Sequence, residues 1–262
     1  MILKNIKEYT KNLKESFKLR IDVNDPPQLA IIQVGENEAS NRYIKNKIKD
    51  CEEVGIKAHH YWFEETIHEE DLIDEIKNLQ EFYDGVILQL PVPQHIRSLT
   101  AAAAIDKSKD VDGFRIDSEF DPATPKGIMD YLEYCKFDLE GKDVVIIGRS
   151  DIVGKPLAKL MMNKNATVTL CHSKTKQSSL SKYAAGCDLL ISAVGKAGFV
   201  NCYPLYMPII DVGINFDENG KLVGDCYNTE ERDVTPVPGG VGLLTRCALL
   251  ENVILAKERK ND

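Results

Sequence analysis

The sequence is short of several things at once. No apolar run approaches the ~20 residues a membrane helix needs, so no spanning helix is expected. Basic residues are outnumbered, 33 Lys+Arg against 41 Asp+Glu. The formal net charge of −8 argues against a general binder of nucleic acid or anionic membrane. The seven cysteines (51, 135, 171, 187, 202, 226, 247) contain no C-x-x-C pair. Such a scattered, odd-numbered set fits buried thiols in a reducing, cytoplasmic setting rather than a disulfide framework. Among five histidines the one close pair is His59-His60. Neighbours on a strand face opposite ways, so no shared metal is expected there. The first residues lack the unbroken apolar core of a signal peptide and carry acids that a transit peptide avoids. Ile2, Ile6, Tyr9, Leu13 and Phe17 instead recur at helical spacing. The common G-x-G-x-x-G nucleotide fingerprint is also missing.

What is present is alternation of strand and helix over 262 residues, enough for one large domain or two modest ones. Strands are expected at 29–35, 57–63, 85–90 and 144–147, then at 167–170, 189–194, 209–212 and 222–223. Helices are expected at 38–54, 69–82, 128–134, 155–162 and 243–259, the first of these stopped by Gly55 in a C′ position. Such order implies an α/β fold, a parallel sheet with helices on both faces. The best internal boundary is 121–141.

The chain is organised around Asp143–Pro156, DVVIIGRSDIVGKP. An apolar strand ends at Gly148, and Gly154 opens a helix whose first turn tolerates Pro156. A strand, glycine turn and helix start can hold a pyrophosphate, with free N–H groups and the positive helix end aimed at the anion. Two glycines six apart also suit an ordinary βα turn. Tyr43 and Lys47 share a helix face and could place an amine beside a flat ring and a substrate. The alternative is a solvated basic helix, since Arg42, Lys45 and Lys49 crowd the same stretch. The spacing occurs in short-chain dehydrogenases too, but after the nucleotide fold, so that assignment fails on order. Gln89 ends a strand, where open α/β sheets bind ligands, or it bonds loop backbone. Asp110 and Asp112 precede Gly113. One carboxylate could clamp a heterocycle bearing adjacent N–H donors, or the stretch is simply a turn.

Seven motifs then stand in one order: Tyr43-x-x-x-Lys47, Asp84-Gly85-Val86-Ile87-Leu88-Gln89-Leu90-Pro91, Lys109-Asp110-Val111-Asp112-Gly113-Phe114, Thr124-Pro125-Lys126-Gly127, Gly148-Arg149-Ser150-x-x-Val153-Gly154-x-Pro156, Asp211-Val212-Gly213-Ile214-Asn215 and Pro236-Val237-Pro238-Gly239-Gly240-Val241-Gly242. Together they resemble the bifunctional methylenetetrahydrofolate dehydrogenase/cyclohydrolase family over nearly the whole chain. The resemblance implies two α/β domains flanking a cleft: a folate-binding catalytic domain, 1–123 plus 243–262, and a Rossmann-like NADP-binding domain, 124–242. The last helix would return to the first domain. It implies NADP-dependent oxidation of 5,10-methylene- to 5,10-methenyl-tetrahydrofolate, then hydrolysis to 10-formyl-tetrahydrofolate, a one-carbon donor for purine biosynthesis. It also implies a cytoplasmic homodimer with no metal.

By the same resemblance Tyr43 stacks on the flat folate, Lys47 manages protons and water, Gln89 bonds Lys47 and substrate, and Asp112 clamps the pterin edge. Pro238, Gly239 and Gly240 bring backbone close to the substrate. The cofactor would meet Gly148, Arg149, Ser150, Ile152, Val153, Gly154, Ser173, Lys174, Val194, Gly195 and Ile214. The end of the second nucleotide strand, Leu170-Cys171-His172-Ser173-Lys174, lacks the acid that binds NAD ribose hydroxyls. Ser173, Lys174 and Arg149 suit a 2′-phosphate, so NADP is expected over NAD. Two departures stand out: Ala123 replaces the family's common cysteine, and Leu243-Leu244-Thr245 replaces Pro-Met-Thr. The second bears on substrate affinity and on the balance of the two activities. As a base, Lys47 must be partly neutral near pH 7, whereas a free lysine (pKa ~10.4) is neutral in only about one molecule in two thousand. Burial is expected to be the main lever, ahead of repulsion from Arg42, Lys45 or Lys49. Three rivals remain: a nucleotide-sensing binding protein, an amino-acid dehydrogenase of similar layout, and a monofunctional dehydrogenase.

Overall fold

The computed structural model describes residues 3–200, 207–227 and 232–261. Ile2 and Cys202 lie outside them. The chain divides into two compact units, Asn12–Ala123 with Arg246–Asp262 and Met1–Lys11 with Thr124–Thr245.

The first unit is built on a parallel sheet of order β2-β1-β3, from β1 (Gln28–Val34), β2 (Lys57–Phe63) and β3 (Gly85–Leu88). Along β1 the side chains alternate between two buried clusters. Leu29 and Ile31 join Ile44, Cys51 and Val54 of α2 (Glu38–Val54) and Leu249, Leu250 and Val253 of α8 (Val241–Asn261). Ala30, Ile32 and Val34 join Leu72 and Ile76 of α3 (Glu69–Gln80). A strand covered on both faces reads as a continuous apolar run, which is why β1 was legible. The ends of α2 match expectation: Asn37 caps its N-terminus at Ser40 N–H (2.9 Å), and Gly55 takes φ 97°. A short helix α4 (Ser98–Ala102) was not foreseen, and β3 stops at Leu88, two residues early.

In the second unit the parallel sheet has the order β5-β4-β6-β7, from β4 (Asp143–Ile147), β5 (Thr167–Cys171), β6 (Leu189–Ser192) and β7 (Ile209–Asp211). The strand at 222–223 is not part of it. It is β9 (Leu222–Val223), which pairs antiparallel with β8 (Asn215–Phe216) in a separate hairpin. Helix α5 (Ala123–Tyr134) begins five residues before the expected start; Pro125 sits in its first turn, where a missing N–H costs nothing. Helix α6 is Gly154–Asn163, and the unforeseen α7 (Gln177–Ala184) buries only Leu180 and Ala184. Residues 1–11 include the start of α1 (Ile6–Arg20). They group with this unit because Tyr131 Oη donates to Lys4 O, Lys4 Nζ donates to Tyr134 O, and Tyr9 stacks on Tyr134 at 4.3 Å.

The six described cysteines are buried, and none of them forms a disulfide. Burial pushes Cys51 up to about 12 and Cys187 to about 11, so both stay protonated and unreactive at neutral pH.

Candidate active site

In each sheet the chain leaves its first strand, crosses to one side, and returns to the other. Ligands of open α/β sheets bind at the carboxyl ends of strands beside such a reversal. The candidate residues fall there in both units.

In the first unit, Lys47 of α2 is 3% exposed. Its Nζ donates to Gln89 Oε1 (3.2 Å), pairs with Asp112 Oδ2 (3.5 Å) and lies 5.1 Å from the Tyr43 ring centre. A solvated basic face therefore describes Arg42, Lys45 and Lys49, which are exposed, but not Lys47. The charged group beside Lys47 is an acid, not the basic neighbours that the sequence suggested as a source of repulsion. Gln89 stands just beyond β3. Its Nε2 donates to Leu90 O (2.8 Å), which orients the amide oxygen toward Lys47. Burial raises the pKa of the Tyr43 phenol, helped by the Asp112 carboxylate, so the ring remains neutral.

The two acids before Gly113 separate cleanly. Asp110 pairs beside Val86 as an extra bridge, and its carboxylate accepts from Arg115 N–H (2.8 Å). Burial raises its pKa against those bonds. Asp112 instead turns to Lys47. Gly113 makes this possible at φ 70°, where an added Cβ would lie 2.7 Å from Pro122 backbone. Sequence reasoning missed Asn252, 1% exposed, whose Nδ2 donates to Val111 O (2.9 Å) and Asp121 O (3.3 Å) and so anchors this loop to α8. A lone amide inside the apolar run of α8 was the available signal. Asp50 was missed as well. It is 5% exposed and held by Lys14 and Arg246, each at 2.6 Å.

In the second unit Gly148 and Arg149–Val153 lead from β4 into α6. A Cβ on Gly154 would land on the Gly148 carbonyl, and one on Gly148 (φ 132°) would land on Ala193 O. The turn is thus closed tightly in a way only glycine permits. The first N–H groups of α6 do not wait for an anion, because Ser150 Oγ accepts from Val153 N–H (3.2 Å) and Gly154 N–H (3.4 Å). The N–H groups of residues 149–152 make no hydrogen bond among the described residues, and they are the donors left for a phosphate. Arg149, Ser150, Ile152, Ser173 and Lys174 are exposed, as are Gly195 and Ile214 at the ends of β6 and β7; Val153 and Val194 are half-buried. His172 Nδ1 accepts from Lys174 N–H (3.1 Å) and shapes the turn after β5. This glycine cradle with free donors at strand ends fits a dinucleotide.

The model of the tetrahydrofolate dehydrogenase/cyclohydrolase catalytic domain matches residues 2–112, and that of the same family's NAD(P)-binding domain matches residues 122–261. The chain belongs to the tetrahydrofolate dehydrogenase/cyclohydrolase family. It is 40% identical to the bifunctional protein FolD of Staphylococcus carnosus, over 97% of this chain and 94% of that one. Among solved structures, the FolD methylenetetrahydrofolate dehydrogenase/cyclohydrolase of Campylobacter jejuni is 40% identical with TM-score 0.90, covering 98% of both chains. The Trypanosoma brucei enzyme, solved with NADP and an inhibitor, is 28% identical with TM-score 0.90, covering 99% of this chain and 98% of that one. As a family member the chain is a methylenetetrahydrofolate dehydrogenase and methenyltetrahydrofolate cyclohydrolase with an NAD(P)-binding domain.

The loop Pro238–Gly240 lies in the second unit, with Gly239 at φ 95° and a Cβ on Gly240 blocked by Pro236 O. Of the two departures after Gly242, Leu244 is 1% exposed, and its backbone lies where a Cβ on Gly127 would be, at 2.7 Å. It therefore serves as a packing anchor. Leu243 is half-buried, and Thr245 keeps a hydroxyl contact with Thr124 (2.9 Å).

Proposed function

We propose that the first unit binds tetrahydrofolate derivatives and that Lys47, Gln89 and Asp112 do the chemistry on them, while the second unit binds NADP. The single observation that supports this most is the buried Lys47 amine held between an amide and a carboxylate, with an aromatic ring 5.1 Å away. NADP, when bound, accepts hydride from the methylene carbon. The folate nitrogens stabilise the resulting cation, so that step asks mainly for alignment. Tyr43 offers a ring face to the flat substrate. Asp112 receives paired N–H donors of the pterin edge. Water then adds to the amidinium carbon, and Lys47, oriented by Gln89, manages the proton that leaves water and the one that reaches the departing nitrogen. Pro238, Gly239 and Gly240 bring backbone to the substrate.

We assign Gly148, Arg149, Ser150, Ile152, Val153, Gly154, Ser173, Lys174, Val194, Gly195 and Ile214 to the cofactor. Ser173, Lys174 and Arg149, all exposed at the ends of β4 and β5, suit the 2′-phosphate. The deciding assay supplies methylene-tetrahydrofolate with NADP or NAD and follows both steps. Turnover with amino acids and none with folate would overturn the reading. Arg149→Ala is expected to raise the NADP KM roughly tenfold, about the value of one charge-assisted bond, and to leave that for NAD nearly unchanged. Equal losses would show that Arg149 does not read the phosphate.

The proposal extends to a cytoplasmic homodimer supplying 10-formyl-tetrahydrofolate for purine biosynthesis. No described helix is long and apolar enough to cross a membrane. Sedimentation at working concentration should give twice the 29.4 kDa chain mass. A species of monomer mass alone would refute the dimer.

A further inference from the structure

Asp225 is fully buried, and no cation is paired with it among the described residues. Its carboxylate is held by five donors instead. Oδ2 accepts from Ser192 Oγ (2.8 Å), Val194 N–H (2.8 Å) and Gly195 N–H (3.3 Å). Oδ1 accepts from Lys196 N–H (2.9 Å) and Asn215 Nδ2 (3.0 Å). A second buried acid sits behind it. Asp211 ends β7, and its carboxylate accepts from Gly213 N–H (2.9 Å), Asp225 N–H (3.0 Å) and Cys226 N–H (2.9 Å). Gly213 and Gly224 leave the room: a side chain on the first would strike the Asp225 carboxylate, and one on the second the Asp211 carboxylate.

Burying a charge is costly unless its hydrogen bonds are made in full, and a partly satisfied network is worse than none. This one is satisfied on both oxygens, and its donors are not random. Ser192 ends β6, and the other four come from the two segments that follow β6 and β7, which carry Val194, Gly195 and Ile214. We propose that Asp225 is a positioning residue for the cofactor: its carboxylate clasps the turn after β6 to Asn215 and so fixes the donor and contact geometry of the nucleotide half of the dehydrogenase. The inference rests on the assignment of 194, 195 and 214 to the cofactor.

Asp225→Asn tests it with little change of shape. The amide oxygen can satisfy one side, but its NH2 group then faces donors on the other. The expected result is an NADP KM raised about tenfold or more, the scale of a lost buried charge-assisted bond, with kcat changed less than KM. Hydrolysis of added methenyl-tetrahydrofolate, which uses no nucleotide, should stay near wild type in the same preparation. Asn215→Ala is the milder companion. It removes one lateral tie without leaving a donor unpaired and should raise the NADP KM several-fold. If Asp225→Asn does not fold, Asn215→Ala decides alone. An NADP KM within twofold of wild type in the folded variants, or equal loss of both activities, would overturn the proposal. A wild-type protein inactive toward folates would instead overturn the functional reading on which it rests.

Discussion

Lys47→Met is expected to remove cyclohydrolase activity by about a thousandfold, the middle of the range for a positioned proton-transfer group. Dehydrogenase activity should survive in part, and methenyl-tetrahydrofolate should accumulate. The asymmetry follows from the chemistry. Hydride transfer from the methylene carbon needs no proton moved, whereas hydrolysis must deprotonate water and protonate the leaving nitrogen. Methionine is close in length to lysine and fills the same buried space, so the change removes the amine rather than the packing.

The substitution also leaves Asp112 and Gln89 facing a thioether instead of a donor at 3.5 and 3.2 Å. Asp112 is 9% exposed, so part of its solvation is already lost and some stability should go with the pair. Lys45→Met, on the exposed face of the same helix, is the control and should change neither activity. Three outcomes are distinguishable when the two steps are assayed separately. Selective loss of hydrolysis supports a proton-managing Lys47. Parallel loss with a raised folate KM makes it a binding residue. Intact hydrolysis ends the proposed role.

How much of this could be read from the chain varies by residue. Helix α2 was legible to both ends because Gly55 can take φ 97° cheaply and the apolar spacing is regular. That pattern placed Tyr43 and Lys47 on one face, but it could not say whether the face was wet. Burial of Lys47 depends on Gln89 and Asp112, which come from segments some forty and more residues away. Asp110 and Asp112 look alike as letters before a glycine; only the bridge to Val86 turns one into a loop staple and leaves the other for Lys47. Helix α7 escaped notice because QSSLSKYA buries two residues and offers no stripe. The β8–β9 hairpin is two residues per strand, too short for period-two alternation to register. Asp225 was invisible for another reason. Its partners are mostly backbone N–H groups, and backbone carries no residue-type signal.

Gly154→Ala carries the second large effect, this time on the nucleotide. The added methyl would occupy the place of the Gly148 carbonyl oxygen, with Gly148 C at 2.7 Å and Arg149 Cα at 3.1 Å. Backbone, not a flexible side-chain tip, must therefore move. Forcing such an atom into a packed site costs about 1–3 kcal/mol, and a fall of several degrees in Tm is expected. The displaced atoms are the turn that presents the N–H groups of residues 149–152 and the Arg149 side chain. NADP affinity should drop by at least about tenfold and dehydrogenase activity with it, since near-attack alignment is all the hydride step asks of the protein. Lys47, Gln89 and Asp112 belong to the other unit and need no nucleotide, so hydrolysis of methenyl-tetrahydrofolate should persist at the temperature of the assay. Gly186→Ala is the matched control: among the described residues nothing lies within 4 Å of its Cβ position, its φ is not positive, and neither NADP binding nor Tm should change. Titration of both variants with NADP, with melting curves on the same samples, separates the cases. Wild-type affinity in Gly154→Ala would show that the turn between β4 and α6 does not hold the cofactor. Loss of both activities with a collapsed Tm would show only that the unit had come apart, and titration of the same variant at lower temperature would then repeat the test.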